Sequence, residues 1–242
     1  LGEFNAGTNP NARDTDGDGL DDGAEISLGA NPLLTDSDGD GLEDGDEVTP
    51  NPYVTSPVNV DTDGDLVRDP LELMVGSNPQ DPGSTGTILI SEFMASNGLY
   101  LNEEDGDNSD WIEIVNATGS PVSMGGMFLT DDVLNLPKWN FPAGLVLQPS
   151  EFLVVFASGK DRRTLGQELH TNFMLSASGE YFALVASNGA TIVQEFAPQF
   201  PGQKSDISYG FDGLYLTVPT PGEVNAGPGV TGFVADTKFS LD

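Results

Sequence analysis

An acidic twelve-residue pattern occurs three times in the first third of the chain, and it leaves few apolar side chains there to form a core. In the first copy, Asp14 to Glu25, carboxylates stand at positions 1, 3, 5, 9 and 12, and a glycine stands at position 6. This spacing is typical of a calcium-binding loop, in which position 7 contributes a backbone carbonyl and the Glu at position 12 binds through both oxygens. The pattern therefore predicts a segment whose shape depends on bound metal.

Each copy gives a predicted set of ligands, with position 9 acting directly or through a water. The predicted ligands of the first loop are Asp14, Asp16, Asp18, Leu20, Asp22 and Glu25. Those of the second loop are Asp36, Asp38, Asp40, Leu42, Asp44 and Glu47. Those of the third loop are Asp61, Asp63, Asp65, Val67, Asp69 and Glu72. Leu66 replaces the glycine of the other loops, so we expect it to adopt a backbone conformation that glycine usually supplies. The alternative interpretation is an acidic, solvated linker.

Repulsion within each loop favours a bound cation. Five carboxylates make ten pairs, and at about 6 Å in water each pair costs roughly 0.7 kcal/mol, or about 7 kcal/mol for an empty loop. A ligand set of six or seven oxygens, mostly carboxylate, favours Ca²⁺ over Mg²⁺. The chain has no Cys and one His, His170, so zinc and copper fit poorly.

The loops are part of a longer repeat. Successive loops begin 22 and 25 residues apart, and a Gly-x-Asn-Pro lead-in starts at Gly7, Gly29 and Gly76. After Glu25 there is room for barely one helical turn before Gly29 and Pro32 end it. The spacing therefore disfavours helix-loop-helix calcium sensors, and also dockerins, which need a longer second helix.

These repeats resemble the thrombospondin type 3 repeat in its bacterial form, over about residues 7–83. The resemblance implies a chain wound around a row of calcium ions that neighbouring repeats share, with Asp21, Asp46 and Asp81 as candidates for sharing. Residues 1–83 hold 20 acidic and 2 basic side chains of a chain with net charge −31. Because few apolar residues are present, we expect metal binding to supply the folding free energy of this region.

The composition changes at residues 81–86, where a turn-rich linker precedes short β-branched and aromatic runs. Their spacing of about ten residues predicts an all-β sandwich or barrel. The predicted strands are residues 87–94, 110–116, 127–131, 138–141, 152–157, 181–186 and 191–197.

This second region resembles the lamin tail domain of bacterial surface and secreted proteins, from about Ile88 to Gly222. The motifs that carry the resemblance are residues 91–97, 110–116, 128–132, 138–142, 153–159, 170–173, 175–180 and 208–210. The resemblance implies an immunoglobulin-like β-sandwich with no catalytic residues. The predicted fold is thus mainly β: calcium-binding repeats at 1–83, a sandwich at 84–226, and a linker with the start of a further region at 227–242.

Other polar features of the second region have competing interpretations. His170 is predicted to be structural, because no nucleophile elbow accompanies it. Asp105, Asp107, Asp110 and Glu113 form either a further cation site or, the favoured interpretation, a solvated loop and strand start. The basic cluster at residues 160–163 is a poor nucleic-acid site, since a net charge of −31 repels phosphate.

Two surface roles are also possible from the sequence. Asn116-Ala117-Thr118 is a glycosylation sequon, which matters only in a eukaryotic host. Trp139 is a candidate for exposed carbohydrate binding, but it and Trp111 lie in strand-like runs and are predicted to be core.

The sequence predicts a non-enzymatic, extracellular or cell-surface calcium-binding protein of a bacterium. The predicted function is a calcium-stiffened spacer that presents an adhesion or interaction domain to an unidentified protein or surface glycan. Weak calcium sites, with dissociation constants of about 10⁻⁴ to 10⁻³ M, fill only where calcium is millimolar. No membrane span and no nucleic-acid partner are expected, and both ends of the chain look cut from a longer protein.

Two alternatives remain open from the sequence. One is an accessory region of a larger secreted enzyme, such as a hydrolase, a nuclease or a spore-coat-kinase-like protein, whose catalytic domain lies elsewhere. The other is a calcium-regulated switch.

Overall fold

The computed structural model describes residues 7–9, 11–50, 52–84, 86–225 and 229–233. The chain forms two compact units. The first contains the residues up to Thr87 together with Ala117–Pro121 and Gln148–Ser150. The second contains Ile88–Asn116, Val122–Leu147 and the residues from Glu151 onwards.

The described residues of the first unit form three short helices, and each begins at position 9 of a loop. They are α1 Asp22–Leu28, α2 Asp44–Glu47 and α3 Asp69–Val75. Left-handed glycines end α1 and α3, with φ of 89° at Gly29 and 78° at Gly76. Because α1 and α3 have seven residues each and α2 has four, none of these three helices is long enough for a helix-loop-helix hand.

The loops turn sharply at position 6, as the acidic pattern predicts. Gly19 and Gly41 have φ of 97° and 102°. Leu66 has φ of 81°, which confirms that it takes the conformation glycine supplies elsewhere, and its side chain is 62% exposed.

In the described part of the repeats, buried carboxylates are as numerous as buried apolar side chains. Among the described residues of the repeat segment, the buried apolar side chains are those of Ala30, Val67 and Leu71 and of four prolines, Pro32, Pro57, Pro70 and Pro79. The buried carboxylates of the same segment are Asp18, Asp22, Glu25, Asp44, Glu47, Asp69 and Glu72. Burial of so few and mostly small apolar side chains cannot order about eighty residues, so another source of stability is needed.

The second unit is built from three sheets. Its strands are β1 Ile88–Met94, β2 Asp110–Asn116, β3 Val122–Ser123, β4 Phe128–Thr130, β5 Trp139–Asn140, β6 Val146–Leu147, β7 Phe152–Ala157, β8 Leu169–His170, β9 Phe182–Val185, β10 Ile192–Phe196, β11 Ser208–Gly210, β12 Tyr215–Leu216 and β13 Gly229–Val230. One sheet has the order β13-β12-β11-β1-β2-β7-β8, a second β10-β9-β4-β5, and a third β3-β6. All pairings are antiparallel except β7 with β8.

All seven predicted strands are present, each within a few residues of its predicted ends. The strands that the sequence pattern missed are two or three residues long: β3, β6, β8, β11, β12 and β13. Such short strands carry too few residues for alternation to be visible. One of them, β13, lies inside the stretch predicted as a linker and pairs with β12. Residues 226–228 and 234–242 lie outside the described residues.

The core of the second unit is aromatic and lies between the two larger sheets. Phe93 of β1 and Phe182 of β9 have ring centroids 5.6 Å apart, and Phe93 also meets Phe200 at 4.9 Å. Ile112 of β2 and Trp139 of β5 belong to the same buried cluster. The architecture is therefore mainly β, as the sequence predicts.

Candidate metal centre

Each acidic loop brings its carboxylates at positions 1, 3 and 5 together. Within each group, one oxygen per residue lies within 4.8 Å of the others; the groups are Asp14, Asp16 and Asp18, then Asp36, Asp38 and Asp40, then Asp61, Asp63 and Asp65. We call these the inner clusters.

Backbone N–H groups hold the inner clusters in shape. Asp14 accepts hydrogen bonds from the N–H of Gly17 at 2.6 Å and of Gly19 at 3.1 Å, so position 1 fastens the turn around it. Asp36 and Asp61 accept the equivalent bonds in the other loops.

The position-7 residues are fixed next to position 5. The N–H groups of Leu20, Leu42 and Val67 donate to Asp18, Asp40 and Asp65 at 2.7, 2.9 and 2.8 Å. Ligation through the carbonyls of these three residues stays a prediction.

The acid at position 9 closes its own loop by hydrogen bonding rather than by joining the inner cluster. Thr15 donates to Asp22 through its N–H at 2.7 Å and its hydroxyl at 2.9 Å. Ser37 binds Asp44 and Thr62 binds Asp69 in the same way. This role escaped the sequence reasoning, although a Ser or Thr at position 2 of every loop was a visible signal.

Acids of successive repeats also meet. One group consists of Asp18, Glu25 and Asp44, and a second of Asp40, Glu47 and Asp69, again with oxygens within 4.8 Å. We call these the cross-repeat clusters. In the first two repeats the position-5 acid, Asp18 or Asp40, belongs to both kinds of cluster. The position-9 acid of each cross-repeat cluster comes from the following repeat, whereas the sequence pattern assigns it to its own loop.

The acids that meet across repeats include Asp44 and Asp69, which the resemblance did not suggest. Ion sharing by Asp21, Asp46 and Asp81 stays a prediction. None of Asp21, Asp46 and Asp81 belongs to any of the five clusters found among the described residues. Asp21 instead pairs with Arg13, at 2.6 Å on the surface. Asp44 and Asp69 take the cross-repeat position because a helix start carries them against the preceding loop, a relationship that spacing alone does not reveal.

Burial and like charge make these clusters electrostatically unfavourable without a counter-charge. Burial, followed by neighbouring carboxylates, raises the pKa of Glu25 to about 7 and that of Glu72 to about 8. Burial is also the first cause that raises the pKa of Asp40 to about 7 and that of Glu47 to about 8. In the described part of the chain, no Lys or Arg forms an ion pair with a cluster acid.

In the described part of the repeats, 11 carboxylate oxygens are buried without a hydrogen-bond partner. They belong to Asp16, Glu25, Asp38, Asp40, Glu47, Asp63, Asp65 and Glu72. A buried oxygen that no donor satisfies costs free energy, and a hard divalent cation satisfies several at once. The donors are all oxygens, so the residues fit calcium and do not fit soft metals.

In the second unit, a lysine ammonium group lies among acidic side chains where the sequence allowed a metal ion. The Nζ of Lys160 lies 2.8 Å from Glu103 and 2.9 Å from both Asp105 and Asp107. Arg162 pairs with Glu104 and Asp105. The loop thus neutralises the basic cluster internally, which agrees with the favoured prediction of a loop rather than a cation site.

His170 is buried and its contacts are unsuited to a catalytic triad. Ser158 Oγ lies 2.9 Å and Glu103 Oε2 lies 3.0 Å from the same ring atom, Nδ1. A triad needs the nucleophile and the acid on opposite ring nitrogens. Burial lowers the pKa of His170, and its ring stacks on Phe156 at 5.5 Å, as expected of a structural residue.

Two proposed surface groups are buried. Asn116 of the sequon is fully buried and its Nδ2 donates to Leu147 O at 3.0 Å, so a glycan has no access in this fold. Trp139 is also fully buried, so carbohydrate binding through an exposed Trp139 is wrong and the core assignment of both tryptophans is confirmed.

One buried acidic pair was not found from the sequence. Glu92 of β1 and Glu113 of β2 are cross-strand partners, and both are fully buried. Ser208 and Thr220 donate to Glu92, whereas Ser91 and Gly222 donate to Glu113. Burial is the main cause that raises the pKa of Glu113 to about 8, and Glu92 raises it further. The register that brings the pair together follows a β-bulge between Ile90 and Glu92, which no sequence pattern indicated.

Comparison with known families divides the chain in the predicted order. The family model described as Bacterial TSP3 repeat matches residues 14–35 and 36–49, and the model described as Lamin Tail Domain matches residues 81–198. The third acidic loop, residues 61–72, lies outside both matches. No curated protein matches the chain. Helices of sufficient length and apolar character to cross a bilayer are absent from the described residues.

Proposed function

We propose that this chain, in which bacterial TSP3 repeats precede a lamin tail domain, is a calcium-stiffened extracellular spacer that presents its β-sandwich for adhesion or interaction. The observation that carries the proposal is the set of 11 buried carboxylate oxygens without hydrogen-bond partners in the described part of the repeats. Both matched families are of non-catalytic types. In this proposal the repeats span residues 1–83 and the sandwich residues 84–226.

The inner clusters each hold one calcium ion through positions 1, 3 and 5, with the carbonyls of Leu20, Leu42 and Val67 as further ligands. The cross-repeat clusters hold additional ions, and Glu25 and Glu47 are their central ligands. Asp22 supports the first loop through its hydrogen bonds to Thr15.

Stiffening follows from where the cross-repeat ions bind. An ion between Asp18, Glu25 and Asp44 ties one repeat to the next, so bending between repeats separates ligands from metal. Without the ion, the three carboxylates repel each other and the connection loosens. Metal binding is then coupled to the folding of the whole segment.

An extracellular setting suits this mechanism. Structural sites of modest affinity, about 10⁻⁴ to 10⁻³ M, are occupied at millimolar calcium and empty in the cytosol. The partner of the β-sandwich is a protein or a surface glycan.

Calorimetry combined with small-angle X-ray scattering tests the proposal. We expect several calcium ions to bind, and the maximum dimension to be smaller and better defined in calcium than in EDTA, because the unfolded repeats are more extended than the folded ones. Magnesium at the same concentration is the control, and we expect it to reproduce the effect poorly because it keeps its waters. A chain that binds no calcium, or whose scattering is the same with calcium and with EDTA, contradicts the proposal.

A further inference from the structure

The third repeat contains only part of a cross-repeat cluster. In the first repeat, Asp18 and Glu25 are joined by Asp44 of the second; in the second, Asp40 and Glu47 are joined by Asp69 of the third. The equivalent acids of the third repeat are Asp65 and Glu72. No described acid joins them in a cluster of three.

The sequence register explains the missing acid. A lead-in N–H donates to the position-2 hydroxyl in every repeat: Asn9 to Thr15, Asn31 to Ser37 and Ser56 to Thr62. The same bond recurs after the third repeat, from Asn78 to Ser84 at 2.9 Å. The chain therefore begins a fourth repeat after α3.

This fourth copy lacks the cross-repeat ligand. In the three complete loops, the position-9 acid stands seven residues after the hydroxyl residue, and in the second and third loops this acid reaches back to the preceding repeat. Seven residues after Ser84 stands Ser91, which belongs to β1 and whose hydroxyl donates to Glu113. The transition into the β-sandwich has thus replaced the acid.

The two remaining acids are nevertheless arranged as ligands. Glu72 is 0% exposed and neither of its carboxylate oxygens has a hydrogen-bond partner. Oδ2 of Asp65 is buried and unpartnered as well. The carboxylates that face Glu72 come from its own repeat, namely Asp63, Asp65 and Asp69. A fully buried carboxylate with two orphan oxygens indicates a ligand position rather than a solvated side chain.

We infer that Asp65 and Glu72 form a third outer calcium site with two carboxylates instead of three, in which water replaces the missing ligand. The inference rests on the proposed calcium-binding function. Fewer charged ligands and more retained water lower calcium affinity, so this site binds at least about tenfold more weakly than the two cross-repeat sites. Calcium therefore leaves the repeats first at the end that adjoins Gly76, and the first two repeats keep their ions longest.

Matched variants separate this inference from the proposed function. Glu72→Gln removes the half-built site, Glu47→Gln removes a complete one, and Glu43→Gln is an exposed control on the same scaffold. Calcium calorimetry should show that Glu47→Gln loses one tight equivalent, whereas Glu72→Gln loses one weak equivalent and keeps all the tight ones. Circular dichroism in saturating calcium verifies that each variant is folded.

The parent chain offers a second test that does not depend on a variant folding. When a fluorescent chelator strips calcium in a stopped-flow experiment, one equivalent should leave at least about tenfold faster than the other outer ions. Loss of a tight equivalent in Glu72→Gln, an unchanged isotherm in that variant, or uniform release from the parent overturns the inference. A parent that binds no calcium at all refutes the proposed function instead.

Discussion

Asp44 begins the helix of the second repeat, yet its carboxylate lies within 4.8 Å of an oxygen of Glu25 in the first. The same arrangement joins Asp69 to Glu47. Because one acid reaches back from the start of α2 and another from the start of α3, successive repeats meet through buried like charges that a bound cation neutralises. A stack held in this way has little need of apolar residues.

Close backbone approach fixes the junction between the first two repeats. A Cβ added at Gly45 would lie 2.3 Å from the carbonyl oxygen of Asp18, and the N–H of Gly45 donates to Asp18 Oδ2 at 3.1 Å. Gly45→Ala should therefore push the second repeat away from Asp18 and destabilise the repeats in calcium by about 1–3 kcal/mol. Thermal unfolding in millimolar calcium measures the change.

Gly23 occupies the equivalent position of the first repeat and is the control. Nothing lies within 4 Å of a Cβ built there, so Gly23→Ala should stabilise α1 by about 0.5–1 kcal/mol. Equal shifts in the two variants would show that the close approach at Gly45 has no consequence.

The position-9 acids allow the cross-repeat role to be separated from the role within the loop. Asp22 and Asp44 accept the same two bonds from Thr15 and Ser37, but only Asp44 belongs to a described cross-repeat cluster. Asp44→Asn should lower the calcium affinity of the affected site by about ten times more than Asp22→Asn does. This tenfold difference corresponds to about 1.4 kcal/mol of binding free energy. Calorimetry of the two variants decides the point, and indistinguishable isotherms would refute the cross-repeat assignment.

Leu66 is strained where the other loops have glycine. Leu66 has φ of 81° and is 62% exposed. Replacing it by glycine therefore removes little buried apolar surface and relieves the backbone strain. Leu66→Gly should raise the stability of the repeats in calcium by about 1 kcal/mol, after allowance for the greater entropy of the unfolded chain. Gly41→Leu, at φ of 102°, should have the opposite effect in thermal unfolding. A loss of stability in Leu66→Gly would contradict this explanation.

Buried Glu113 should make the second unit less stable as pH rises. Its folded pKa of about 8 lies above the ordinary glutamate value of 4.5, so the folded state holds the proton more tightly. The stabilisation is complete below about pH 4.5 and is lost as pH rises through about 8. The charged groups that oppose ionisation of Glu113 are Glu92 and Glu223.

Both tryptophans, Trp111 and Trp139, lie in the second unit, so their fluorescence monitors that unit alone. Urea unfolding in saturating calcium between pH 6 and 9 should show stability falling by roughly 2–4 kcal/mol. Glu113→Gln, which stays neutral, should flatten the profile, and Glu43→Gln should leave it unchanged. A profile that stays equally steep in Glu113→Gln would assign the pH dependence elsewhere.

The sequence was most informative where a structural feature depends on the types and spacing of residues that are close together in the chain. Carboxylate spacing predicted the loops, and the left-handed conformation of Leu66 followed from its place in the pattern. Long apolar runs predicted the seven main strands. By contrast, the cross-repeat clusters depend on how one repeat packs on the next, and the Glu92–Glu113 pair depends on register after a bulge. Neither packing nor register can be read from local spacing.

The central claim is that bound calcium, rather than apolar burial, orders the repeats. Hydrogen–deuterium exchange of the whole chain in calcium and in EDTA tests it most directly. We expect the amides of α1, α2 and α3 to be protected in calcium and to exchange freely in EDTA, while β1, β2 and β7 stay protected in both. Equal protection of the three helices with and without calcium would contradict the account.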